Sequence, residues 1–372
     1  MMPVESSLAG LCMSYDARLA RYTDMSTSLA LLSDSRLRER LEHASILRTA
    51  IGGTTALMQI DNVPIFVKIV PLSELEKRPE NLMSTRNVLE LPPYFHYGLG
   101  GPVRGVWREI AAHTMTTNWV LARQCESFPL MYHWRVLPSL PRHLPMSEEE
   151  QEIRDISKMV EFWGSEAIGE RIKAIEQSVD SVVLFCEYIP HSVHDWLNEQ
   201  VAIGEDAANS AFSMVESQVL SAVTFMNAQG LLHFDVHFEN VITDGTGIYI
   251  TDFGLATSSR FELSDSEREF FDLNKSHDEC YVMTQLVNWI VAGLLGLMER
   301  KGRIEFIRRC ADGYDPKDEV GAVAAGIINR YAPIAVVIND FYTNLRVDSR
   351  ATPFPADQIQ RVAKAIGLNV VN

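Results

Sequence analysis

The spacing of apolar and polar positions changes character along the chain. Residues 1–28 are weakly patterned and are expected to form a loose arm. Residues 34–44, DSRLRERLEHA, have the pattern of a charged amphipathic helix. The period then shortens, and Ser45–Ala50, Ala56–Asp61 and Ile65–Val70 each predict a strand. Gly52-Gly53 separates the first two strands, and Asp61-Asn62-Val63-Pro64 supplies the turn between the second and third. A Pro- and Gly-rich tract, about 71–105, reads as a long irregular insertion. Val106–Ala122 predicts a helix and Phe128–Leu137 a strand, closed by Pro138, Pro141 and Pro145.

Residues 147–177 are charged and helical, opening on Ser147-Glu148-Glu149-Glu150, a capping box. They belong to a second insertion, about 139–180. Ser181–Ile189 is a β-rich apolar strand. Past residue 191 the character is helical: Ala207–Gln229 is one long helix stopped by Gly230, and two short strands fall near 231–243 and 247–251. Strands first and helices afterwards predict an α+β, bilobal chain. The expected organisation is an arm and helix over 1–42, a small β-rich N-lobe over 43–190 and a larger helical C-lobe over 191–372, divided near Pro190.

Composition narrows the chemistry. Of 372 residues, 33 are Lys or Arg and 49 are Asp or Glu, a formal charge of −16. That charge disfavours nucleic acid and anionic membrane surfaces as partners. The cysteines at 12, 125, 186, 280 and 310 are scattered and odd in number, as expected of reduced thiols in a cytoplasmic protein. The first residues lack the basic and apolar regions of a signal peptide. The apolar run Leu286–Met298 is shorter than the ~20 residues a bilayer span needs, so a buried helix is expected there.

The chemically informative segment is Leu231–Ala256, LLHFDVHFENVITDGTGIYITDFGLA. It carries His233-Phe234-Asp235, then Asn240 five residues after the aspartate, then Asp252-Phe253-Gly254 twelve residues after Asn240. Magnesium takes carboxylate and amide oxygens. Phosphoryl transfer from ATP needs a divalent ion on the phosphates and a group that orients the attacking hydroxyl. An Asp and an Asn on one loop, with a second Asp beyond the next strand, can converge on one such site. Gly254 permits a sharp turn after Asp252. Other motifs fail: Gly98-Leu99-Gly100-Gly101 has Val103 where a dinucleotide loop needs its third glycine, and neither a G-x-x-x-x-G-K-[ST] nor a G-x-S-x-G occurs. A zinc site at His233 and His237 is disfavoured because their spacing lies on a loop.

These motifs resemble those of the protein-kinase-like superfamily, H-x-D-x-x-x-x-N followed by D-F-G. The resemblance implies an ATP- and Mg²⁺-dependent phosphotransferase acting on a hydroxyl acceptor, either protein Ser/Thr or a small molecule. It implies that Asp235 orients or deprotonates the acceptor, that Asn240 and Asp252 hold magnesium, and that Lys68 contacts the α- and β-phosphates. Glu109 would pair with Lys68; it lies 41 residues further on, the excess being the Pro/Gly-rich insertion, and Glu90 is its competitor. Gly52, Gly53 and Thr54 stand where the family covers the phosphates, without a full G-x-G-x-x-G. Glu187 and Tyr188 fall at the expected hinge, where backbone groups would meet adenine. His233 is expected to be structural, and Asp278 resembles the buried aspartate that braces the catalytic loop.

The chain departs from the family's usual pattern at three places. Phe234 replaces the arginine that commonly precedes the catalytic aspartate, which argues against control by a phosphorylated loop. His237 stands where Ser/Thr protein kinases usually carry lysine, and H-x-D-x-H-x-x-N is similar to aminoglycoside- and choline-type phosphotransferases. Only 26 residues separate Asp252 from Asp278, with no A-P-E motif between them. A catalytically weak pseudokinase that acts as a nucleotide-binding or scaffold module is the alternative.

Overall fold

Alternating apolar positions in the early segments build an antiparallel sheet. In the computed structural model, which describes residues 13–50, 53–101, 104–138 and 155–370, these are β1 (Ser45–Ala50), β2 (Gly53–Ile60) and β3 (Val63–Leu72). β4 (Met131–Pro138) and β5 (Asp180–Glu187) complete the sheet in the order β1-β2-β3-β5-β4. The β2–β3 turn is set by Asp61 and Asn62, whose φ values of 50° and 65° suit the twist of a tight hairpin. β5 pairs on both sides and is buried from Ser181 to Glu187, so its apolar side chains do not alternate with polar ones.

The helix Val106–Leu121 packs on this sheet. Val106, Trp107 and Ile110 form an apolar cluster with Val70, Leu72, Val182 and Leu184. Helices dominate beyond residue 192, chiefly Glu205–Ala228, His277–Leu295 and Ala322–Val347. The last is, among the described residues, the one single helix long and apolar enough to cross a membrane; most of it is buried against its neighbours. Leu286–Val291, inside the run expected to be a buried helix, is largely buried in His277–Leu295.

Four expectations are corrected or refined. Residues 15–31 are not a loose arm but a helix capped by Ser14, with Arg18, Met25 and Leu29 buried on one face. The charged stretch that includes 155–177 is two helices, Ile156–Trp163 and Glu166–Glu176, because Gly164 turns left-handed at φ 64°. The Ser147 capping box lies outside the described residues. The tract 71–105 is irregular but packed: Leu91, Phe95, Tyr97 and Leu99 are buried in the core. Between the short strands Leu231–Leu232 and Val241–Thr243 runs an open loop rather than one strand.

Candidate functional site

β3 places Lys68 under the sheet, 8% exposed, on the face toward the Val106–Leu121 helix. Its Nζ lies 2.6 Å from Glu109 Oε1 and 2.7 Å from Asp252 Oδ1. Glu109, not the exposed Glu90, is therefore the partner of Lys68. Burial pulls the Lys68 ammonium down, but Asp252 and Glu109 outweigh it and hold the group above its usual value. Burial pushes the Glu109 carboxyl up, against the pull of Lys68. Burial would also raise Asp252, but Lys68 and the Gly254 N–H outweigh it and keep this carboxyl well below the usual range.

The loop 233–240 hangs from Asp278. The backbone N–H groups of His233 and Phe234 donate to its carboxylate at 2.6 and 2.8 Å. These bonds hold Phe234 in a left-handed conformation, φ 66°, which turns Asp235 into the cleft. His233 is fully buried and structural: Nε2 meets the Thr251 carbonyl at 2.9 Å, and Nδ1 accepts from the Asp235 N–H at 3.2 Å. Phe253 lies between the rings of His233 and His113, with centroids 5.1 and 5.0 Å away. Burial, then Lys68, lowers His113 to about 3, so its ring is neutral.

Asn240 donates through Nδ2 to the Asp235 carbonyl at 3.0 Å and to Asp235 Oδ2 at 3.1 Å. Its amide oxygen is left as a donor atom for a cation. The Thr251 N–H donates to the Asn240 carbonyl at 3.0 Å, which sets Asn240 beside the strand leading to Asp252. The Asp252 side chain is 43% exposed to the cleft. Carboxylate and amide oxygens of this kind form a hard donor set that fits Mg²⁺. Among the described residues no group of three His, Cys, Asp or Glu side chains could hold a metal on its own. Burial raises the Asp235 carboxyl above its usual range. His237 Nε2 is 3.6 Å from Asp235 Oδ2, so this histidine belongs to the site rather than to the outer surface.

The remaining expected positions differ in detail. β1 and β2 pair as far as Ala50 and Gly53, so only residues 51 and 52 separate them; Gly52 itself lies outside the described residues. Gly53 is required by space: a Cβ would come within 2.4 Å of the Ile69 carbonyl oxygen, at φ 141°. Thr54 is half-buried and pairs with Ile69. Glu187 ends β5; its N–H donates to the Leu130 carbonyl at 2.8 Å, and its carboxylate is held by Arg18. Tyr188, the residue that follows, is half-buried.

Sequence reasoning missed the buried ion pairs around this site. Arg18 Nε donates to both Glu187 carboxylate oxygens at 2.9 Å. Glu76 accepts from the Val106 N–H at 3.0 Å, supplying the cap that Gly105 lacks, and pairs with Arg171 at 2.9 Å. Arg108 and Arg104 meet Glu267 at 2.8 and 3.4 Å. The sequence signal available was a set of charged residues inside otherwise apolar or irregular stretches. Their partners lie 95 to 169 residues away, so no local pattern connects them.

Residues 142–271 match the family model described as the protein kinase domain. That span holds β5, the loop with Asp235 and Asn240, and Asp252; Lys68 and Glu109 lie before it. No curated protein gives a significant match to the chain. The domain match covers the loop that hangs from Asp278, and the fold places β3 and its lysine against that loop, which supports a likeness to the protein-kinase-like superfamily over this span.

Proposed function

We propose that the protein is an ATP- and Mg²⁺-dependent phosphotransferase that moves the γ-phosphoryl group to a hydroxyl of a protein or a small molecule. The observation that carries this reading is the double ion pair of Lys68 with Glu109 and Asp252, opposite Asp235 and Asn240. In the reaction the acceptor oxygen forms a bond to Pγ, the bond from Pγ to the ADP oxygen breaks, and the hydroxyl proton passes to Asp235. Burial keeps that carboxyl more basic than an exposed one, which suits proton acceptance. Asp252 stays ionised and Asn240 offers its amide oxygen; these two would hold magnesium. Magnesium, when bound, neutralises phosphate oxygens. Lys68, kept charged by two carboxylates, would contact the α- and β-phosphates, and Tyr188 would line the adenine site.

The test is ADP release from Mg-ATP across hydroxylated metabolites and generic protein substrates. Asp235→Ala should bind nucleotide and lose about 10²–10⁴-fold in turnover. Asp252→Ala should lose magnesium-dependent nucleotide binding. Unchanged turnover in both variants refutes the assignment. A second reading, a nucleotide-binding module with little turnover, draws support from the two-residue connection between β1 and β2, which is short for a loop that covers phosphates. Nucleotide-dependent thermal stabilisation with no turnover on any acceptor would favour it.

A further inference from the structure

Glu109 is fully buried and depends on the position of its helix to reach Lys68. That helix is tied down at its first turns. The neighbouring residue, Arg108, is 4% exposed; its Nη2 donates to Glu267 Oε1 at 2.8 Å and its Nε to the Thr85 carbonyl at 2.7 Å. Arg104, just before the helix, reaches the same carboxylate oxygen. Glu267 stands in the helix Asp265–Leu273, fifteen residues beyond Asp252, and its other oxygen accepts from the Ser264 N–H at 3.0 Å. A capping box therefore fixes the carboxylate before any arginine arrives. Two arginines sharing one carboxylate leave a positive charge undercompensated; burial, then Arg108, lowers Arg104 to about 9. Movement of the helix that withdrew Glu109 from Lys68 would pull Arg108 off Glu267 and leave the Arg108 guanidinium buried without a carboxylate.

We propose that Glu267 is a positioning residue: acting through Arg108, it holds Glu109 on Lys68 permanently, so this site needs no added phosphate to assemble. The proposal rests on the phosphotransferase reading for its consequence in turnover, but not for its geometry. Lys68 is buried and doubly paired, so it should react slowly with an amine-directed ester. Loss of Glu109 contact should speed that reaction, whether or not the protein turns over ATP.

The experiment labels the full chain with such an ester and reads Lys68 by mass spectrometry, alongside ADP release from Mg-ATP with water as acceptor. Arg108→Met leaves the Arg104–Glu267 pair in place, so the carboxylate keeps a partner. The charge-balanced pair R104M/E267Q removes the anchor instead and serves where R108M does not fold. Both are expected to raise Lys68 labelling several-fold, to the level of Glu109→Gln, and to add less than about twofold in the Glu109→Gln background, as groups acting in series do. Arg108→Lys should recover part of the protection. Wild-type labelling in R108M and R104M/E267Q overturns the proposal, as does an equal further increase in the Glu109→Gln background. If the labelling pattern holds and wild-type protein releases no ADP with water or with any of the hydroxylated metabolites and protein substrates, the positioning stands and the phosphotransferase reading fails.

Discussion

Replacing Arg18 with methionine tests whether the helix Tyr15–Leu31 is clamped to the end of β5. The guanidinium is 4% exposed and makes charge-assisted bonds to both oxygens of Glu187, with further bonds to the carbonyls of Glu126 and Phe128. Methionine fills similar space but leaves Glu187, 5% exposed, with one neutral donor, the Leu130 N–H at 3.1 Å. Removing one partner of a buried pair costs about 3–5 kcal/mol. A cost of 1 kcal/mol lowers the midpoint by about 2–4 °C for 150–250 residues, so a fall on the order of 10 °C is expected. Thermal unfolding by circular dichroism measures it. The double variant Arg18→Met/Glu187→Gln should recover much of the loss, because it removes the stranded charge. A single variant within about 1 kcal/mol of wild type, or a double variant as unstable as the single, refutes a buried clamp at the end of β5.

Phe234→Arg should destabilise by several kcal/mol, since the ring is fully buried among His96, Tyr97, Phe270 and His277 and a cation there has no described carboxylate partner but Asp278, already engaged; denaturant unfolding reads it. Gly53→Ala should cost about 1–3 kcal/mol through its φ and the Ile69 carbonyl, seen as a lower urea midpoint at unchanged slope. Alanine at Ser259 and Ser266, exposed hydroxyls of the loop after Asp252, should leave turnover within a few-fold of wild type, whereas Ser258, which bonds the Gly230 carbonyl at 2.7 Å, should lose stability. Asp278 lies below its usual carboxyl range because the His277 and backbone bonds outweigh burial, so its contribution to stability is present above the unfolded value near 4 and is lost as pH falls through the depressed folded value; Asp278→Asn should flatten the acid limb of the stability curve.

Much of the site was legible because its parts are close in sequence. Asp235, Asn240 and Asp252 sit within one loop-strand-turn unit, where spacing alone limits the geometry. Lys68 stood out as a cation inside an apolar strand, and Glu109 as an acid opening a helix. The strands were legible through alternation and the Asp61-Asn62 turn. What escaped has a common cause. The helix Tyr15–Leu31 buries three residues, one of them an arginine, so its apolar stripe is too thin to register. The tract 71–105 buries aromatics without any period, because its backbone is held by side-chain bonds such as Tyr97 to Asn274 rather than by a ladder. His96 is kept neutral by burial and bonds the Leu255 carbonyl, a contact across 159 residues that no window of sequence contains.

The buried ion pairs also decide how the chain can be divided. A fragment ending at Pro190 would retain every strand of the five-stranded sheet, and by strand pairing alone it would pass for an autonomous unit. It would also carry Arg104 and Arg108 without Glu267, and Lys68 without Asp252. The complementary fragment would keep Glu267 with neither arginine. A stranded buried charge costs several kcal/mol, comparable to the whole stability of a small domain. Severed at the hinge, the halves should be insoluble apart and recover structure when refolded together, with the charges that cross the cut serving as the adhesive between them.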